Sequence, residues 1–296
     1  GGMHSCGLAY LKDGKPEFAF EEERFNRVRT YKDFYKDLFR FPYECGQNVW
    51  YNKDFDWNEL DYITSHYSAK VTEEIWDGIG LGPFPKEKFI KTNHHRAHCS
   101  LAYYCSGFEE DTLVVSIDAM GEKYSARYFI GSNGNLTDIG KISDEFKSLG
   151  HYYAMLTEFL GFRRLKDEGK VVGTASHGKF NKDFYNVFNE CITIDGIKTD
   201  KDNGKVISGG IYEDFYKLWF EKHGSKFSSH LKNDIAYNGQ LVFEEKILEI
   251  FNNLWKKHPN LRKVALAGGV FANVKLNKRI NELEWVDEVF IAPPMG

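Results

Sequence analysis

The strongest constraint in this sequence is a pattern that occurs twice. Residues 6–23, CGLAYLKDGKPEFAFEEE, form two β-leaning runs around Asp13 and Gly14, a dipeptide suited to the positive φ angles of a tight hairpin turn. A second cluster begins at Thr112-Leu113-Val114-Val115-Ser116-Ile117-Asp118, continues from Tyr124 to Ile130, and turns at Ser132-Asn133-Gly134-Asn135. Two hairpins, each followed by further strands and helices, predict two lobes built on one plan. The length agrees, because at 296 residues two lobes around a cleft are a better expectation than one compact core.

Short strands are expected at Tyr62–Ser65 and Phe89–Lys91, the latter leading through Asn93, a suitable cap, into a helix from His94 to Cys105. Helical periodicity follows at Leu149–Phe162 and Gln240–Lys257. The last unit reads as strand Val264–Ala267, glycine pair, helix Phe271–Leu283 and strand Glu288–Ala292, a β-α-β arrangement. We expect a first lobe over residues 1–110 and a second over 111–296, with the Lys, Asp, Gly and Ser-rich stretch 195–232 as an insertion. The predicted fold class is α/β: a duplicated, ribonuclease H-like and actin-like two-lobed fold with an interlobe cleft.

Composition narrows the function classes. A net charge of −4 and a pI near 6.2 give no overall electrostatic reason to expect nucleic acid or an anionic membrane as partner. The five cysteines are odd in number and scattered, so neither a disulfide framework nor a zinc knuckle is expected, and a reducing cytoplasm is the default. No signal-peptide pattern and no apolar run of membrane-spanning length is present. The opening Gly1-Gly2-Met3 and the closing Pro293-Pro294-Met295-Gly296 read as the ends of a fragment.

Several residues are candidates for chemistry. His94 and His98 are four apart on a predicted helix, so both imidazoles project from one face and can reach one ion with bonds of roughly 2.1 Å. Asp118, at the carboxyl end of an apolar strand, would complete a set suited to Fe(II), Mn(II) or Zn(II). The same spacing also fits two surface or core histidines. Gly268-Gly269, between a strand and a helix, allow backbone N–H groups to approach an anion or nucleotide, or simply make the turn. Asn273 and Asn277 share a helical face and offer amides to a base or ribose. Lys166-Asp167-Glu168-Gly169-Lys170 reads either as a phosphate- or acceptor-binding loop or as a solvated turn. His4 and Ser5, beside glycines at the start, are further phosphate candidates.

In order, Met3-His4-Ser5, Glu22-Glu23-Arg24-Phe25-Asn26-Arg27, His94-His95-Arg96-Ala97-His98, Asp118-Ala119-Met120-Gly121-Glu122, Glu168-Gly169-Lys170-Val171-Val172-Gly173, Asp234-Ile235-Ala236, Leu266-Ala267-Gly268-Gly269-Val270-Phe271-Ala272-Asn273 and Pro293-Pro294-Met295-Gly296 resemble the O-carbamoyltransferases of the nodulation-factor and antibiotic-tailoring type. The resemblance covers nearly the whole chain. It implies an actin-like domain related to the tRNA threonylcarbamoyl-transfer proteins, followed in the family by a YrdC-like domain that makes carbamoyl-adenylate from carbamoyl phosphate and ATP. The present domain would then pass the carbamoyl group to a hydroxyl of a small-molecule acceptor and release AMP.

By motif match, His94, His98 and Asp118 become metal ligands, and Gly268, Gly269 and Asn273 become adenosine contacts. Gly121, Glu168 and Gly169 join the nucleotide-site candidates, and His4, Lys166 and Lys170 the catalytic ones. Two departures bear on this. The family's last motif continues into an aspartate that supplies a further ligand, one residue beyond Gly296, and the YrdC-like domain is absent from this sequence. Three other readings compete: a tRNA threonylcarbamoyl-transferase-like enzyme, a nucleotide-binding interaction module without catalysis, and a sugar-kinase-like ATPase. The acidic balance and the Glu22–Arg27 motif weigh against the first, and the paired histidines against the last.

Overall fold

The computed structural model describes residues 7–21, 24–25, 27, 59–78, 83–143, 148–198 and 229–293. His4, Ser5, most of the Glu22–Arg27 motif, residues 30–58, most of the 195–232 stretch and the closing Pro294-Met295-Gly296 lie outside these residues. The chain divides into two compact units, with the division between Asn93 and His94.

In the first unit, β1 (Gly7–Lys12) and β2 (Lys15–Glu21) pair antiparallel around Asp13 and Gly14, whose φ angles are 50° and 75°. That is the positive-φ turn the dipeptide favours. Strands β3 (Ile63–Ser65) and β4 (Phe89–Lys91) pair in parallel, with helix α1 (Ala69–Gly78) in the connection between them. Trp76 and Phe84 form the buried cluster here, packed by Leu60, Ile63 and Phe89.

The second unit is α/β around a mixed five-stranded sheet. It begins with α2 (His94–Ser106), followed by β5 (Thr112–Gly121), β6 (Tyr124–Ser132) and β7 (Asn135–Ser143) as an antiparallel meander. Helices α3 (Leu149–Phe159), α4 (Glu168–Ala175) and α5 (Lys182–Cys191) come next, then the small β8 (Ile192–Thr193) and β9 (Gly196–Ile197) hairpin and the long helix α6 (Ser229–Lys257). Strand β10 (Lys263–Ala267), helix α7 (Val274–Asn281) and β11 (Glu288–Ile291) close the unit. The sheet order is β11-β10-β5-β6-β7, with β10 parallel to both β5 and β11.

Both faces of β5 are covered, which explains its unbroken run of buried residues from Thr112 to Ile117. Leu113, Val115 and Ile117 enter the larger core, with α3 and α6 residues such as Tyr152, Phe243 and Phe251. Val114 faces the opposite way, into a smaller cluster with Cys99 and Ala102 of α2 and with Ala265 and Ala267 of β10. The strand period of two therefore assigns Val114, Ser116 and Asp118 to the face that carries α2. This packing puts α2 in the second unit, whereas the sequence pattern had grouped it with the first lobe.

Two further elements differ from expectation. Helix α6 starts at Ser229, ahead of the helix expected from Gln240, and so includes residues 229–232 of the Lys, Asp, Gly and Ser-rich stretch. The helix expected from Phe271 is a 3-10 turn over Gly269–Ala272 followed by α7, because Asn273 caps α7 by accepting from the Leu276 N–H at 3.1 Å. Among the described residues, no helix is long and apolar enough to cross a membrane.

Candidate metal centre

Asp118 reaches the site because strand parity turns it toward α2, where His94 and His98 lie one turn apart, edge to face, with ring centroids 4.7 Å apart. Nε2 of His94 and Nε2 of His98 each lie 3.3 Å from the same carboxylate oxygen, Oδ2 of Asp118. The other oxygen, Oδ1, accepts from the Ala119 N–H at 2.7 Å. Burial pushes the Asp118 carboxyl upward, but the hydrogen bonds from His94, His98 and Ala119 outweigh it and hold the group well below the usual carboxylate range. The carboxylate is therefore ionised at neutral pH.

One ligand atom from each of His94, His98 and Asp118 lies within 4.8 Å of the other two. Bonds of about 2.1 Å to a common ion separate neighbouring ligand atoms by about 3.0–3.4 Å, a range that includes the observed 3.3 Å to Asp118. Two imidazoles and a carboxylate suit Fe(II), Mn(II) or Zn(II). The residues fit such an ion.

Other close approaches shape the surroundings. Gly268, at φ 97°, sits where an added Cβ would lie 2.4 Å from the Ile117 carbonyl oxygen. It is thus a glycine both by conformation and by proximity to the strand that carries Asp118. Gly150, in the first turn of α3, is also tight: a Cβ there would stand 2.7 Å from the Ala119 backbone nitrogen. The carboxyl ends of β5 and β10 and the first turn of α3 therefore converge on Asp118, at the strand ends of an α/β sheet where ligands commonly bind.

The family described as Carbamoyltransferase N-terminus matches residues 66–296. The chain belongs to this family. It is 31% identical over 297 residues to an uncharacterized protein of Methanocaldococcus jannaschii, covering 90% of this chain and 48% of that one. It is 24% identical over 311 residues to the nodulation protein NolNO of Sinorhizobium fredii, covering 98% of this chain and 44% of that one. The chain thus spans about half the length of the curated relatives it matches. Among solved structures, full-length HypF in its phosphate- and nucleotide-bound form aligns with 98% of this chain and 51% of its own, with 14% identity and a TM-score of 0.49.

Within this carbamoyltransferase domain the sequence candidates divide into distinct groups. His94, His98 and Asp118 come together, with Gly121 beside them: a Cβ on Gly121 would stand 2.4 Å from His95 Nε2 and 2.8 Å from His94 Cδ2. Gly268 lies against β5, and Gly269 opens the following 3-10 turn. Asn273 is buried, and its amide is engaged twice with Gln240, at 2.9 and 3.0 Å, besides capping α7. Asn277 donates to the Phe271 carbonyl at 2.7 Å.

The 166–170 run is only partly a loop. Gly169 and Lys170 lie in the first turn of α4, where Glu168 suits the helix dipole. Oε1 of Glu168 also accepts from the Leu165 N–H at 2.6 Å, steadying a residue at φ 60°. Lys166 is exposed, and Lys170 pairs with Asp167 at 3.1 Å. Reading motifs in order missed His95, Ser116 and Gly150; the alternation along 112–118 was the signal that would have found Ser116.

Proposed function

We propose that this domain transfers a carbamoyl group from carbamoyl-adenylate to a hydroxyl of a small-molecule acceptor, releasing AMP. Family membership supports carbamoyl transfer in general, and the observation that carries the finer reading is the convergence of His94, His98 and Asp118 on one point. In the reaction, the acceptor oxygen forms a bond to the carbamoyl carbon. The bond from that carbon to the adenylate phosphate oxygen breaks, AMP leaves with the electron pair, and the hydroxyl proton passes to solvent.

His94, His98 and Asp118 would hold a divalent ion, Fe(II), Mn(II) or Zn(II). When bound, that ion supplies positive charge beside an oxygen that grows more negative during acyl transfer. Gly268 and Gly269 would let the backbone approach the nucleotide closely. Lys166 or Lys170 would add positive charge for the leaving phosphate, Lys170 by exchanging Asp167 for it, with His4, Gly121, Glu168, Gly169 and Asn273 as the remaining site candidates. Carbamoyl-adenylate would come from a YrdC-like domain or protein. The meander followed by two parallel strands in one sheet supports a ribonuclease H-like lobe, and with it the duplicated, actin-like reading.

The test is metal content and AMP binding on the purified chain, beside a His94→Ala/His98→Ala double variant. We expect about one transition-metal ion per wild-type chain, lost from the variant, and AMP release from carbamoyl-adenylate that depends on added acceptor. Equal metal content in the two proteins would remove the basis of this reading.

A further inference from the structure

Between the two candidate ligands, α2 carries a third histidine with a different environment. His95 is fully buried, and both ring nitrogens are engaged. Nδ1 lies 2.8 Å from Ser116 Oγ on β5, and Nε2 lies 2.9 Å from the backbone carbonyl oxygen of Tyr124 on β6. A carbonyl oxygen only accepts. Nε2 therefore carries the proton and donates it to Tyr124, and in the neutral ring Nδ1 accepts from the Ser116 hydroxyl.

These contacts key one side chain to two neighbouring strands. Gly121 leaves room for the ring, since any Cβ there would collide with it. The adjacent His94 N–H donates to Glu122 Oε2 at 3.2 Å, so consecutive residues of the first helical turn are both tied to the β5–β6 hairpin. Ser116 and Asp118 are two residues apart on the same face of β5, about 6.6 Å along the strand. Anchoring His95 to Ser116 thus fixes α2 relative to Asp118.

The magnitudes explain why such a key matters. Side-chain tips stand about 5–6 Å from a helix axis, so rotating α2 by about 20° would carry Nε2 of His94 and His98 through about 2 Å. Metal–ligand distances tolerate about 0.2 Å.

We propose that His95 is a positioning residue: its Nε2-protonated imidazole, held between Ser116 and the Tyr124 carbonyl, sets the rotation of α2 so that His94 and His98 converge on Asp118. The proposal deepens the metal-centre reading and rests on it for its consequence, though not for its geometry.

The experiment combines side-chain 15N–1H NMR of the metal-free chain with Co(II) titration, on wild type, Ser116→Ala and Ser116→Thr. We expect the Nε2–H tautomer at His95. In Ser116→Ala the ring signals of His94 and His98 should move and Co(II) affinity should fall about 10–100-fold, and Ser116→Thr, which keeps the hydroxyl, should restore both. An Nδ1–H tautomer, or Ser116→Ala with wild-type His94 and His98 signals, would overturn the proposal. If wild type binds no Co(II) while those signals move as expected, the metal reading fails and the positioning role stands.

Discussion

Asp118 and Asp167 are both carboxylates held ionised by hydrogen bonds, and the identity of their partners separates a candidate ligand from a brace. Asp167 is 7% exposed and is met by permanent cations. It accepts from Arg163 Nε and Nη2 at 2.8 and 3.0 Å and from the Arg163 backbone N–H at 3.1 Å, and it pairs with Lys170. Asp118 is met by imidazoles, which can turn their lone pairs to an ion instead. The Arg163 hydrogen bonds hold the Asp167 carboxyl well below its ordinary value of 3.8. A folded-state pKa depressed in this way contributes stability that is fully present above about pH 4 and is lost as pH falls further. Urea unfolding of wild type and Asp167→Asn should therefore differ most near neutral pH, and the gap should close as pH falls through the carboxylate range. A gap independent of pH would mean that the charge is not what braces this turn.

Helix α7 shows how a polar network and a cap serve one element. Asn273 caps it, and the same amide pairs with Gln240, which also accepts from Tyr153 Oη at 2.5 Å and donates to Glu244 Oε1 at 2.6 Å. Glu244 is 1% exposed and accepts from Arg279 of α7 at 2.8 Å, so α3, α6 and α7 are joined through one buried chain of donors and acceptors. Asn273→Ala removes the cap, worth about 1 kcal/mol. It also leaves Gln240 short of a partner, at a cost of about 1–3 kcal/mol. We expect a loss of roughly 2–4 kcal/mol in denaturant unfolding. A loss of only the cap's share would mean that Gln240 finds another partner.

At the scale of the whole molecule, the candidate centre joins α2 to β5 within the second unit, so an ion bound there should stabilise folding and not merely decorate the surface. At 100 times its dissociation constant a bound metal adds about 2.7 kcal/mol. For a unit of this size that raises Tm by roughly 5–10 °C. Differential scanning fluorimetry with Fe(II), Mn(II), Zn(II) and Co(II) should show this shift in wild type and none in Asp118→Asn. Equal shifts in both proteins would place the stabilising ion elsewhere.

Local pattern decided much of this protein. The period of two along 112–118, the positive-φ turn at Asp13-Gly14, the four-residue spacing of His94 and His98 and the β-α-β unit after Val264 depend on backbone sterics and side-chain direction, and these are written in neighbouring residues. Family membership is carried the same way, by motifs in order. Only tertiary structure decided that α2 packs on the five-stranded sheet, that His95 lies between Ser116 and the Tyr124 carbonyl, and that Asn273 joins Gln240 while it caps α7. The His95 and Asn273 contacts span 21 to 33 residues of chain, and the packing of α2 against β10 spans more than that. Their partners are chosen by which faces the packed sheet and helices bring together, and no local propensity encodes that choice.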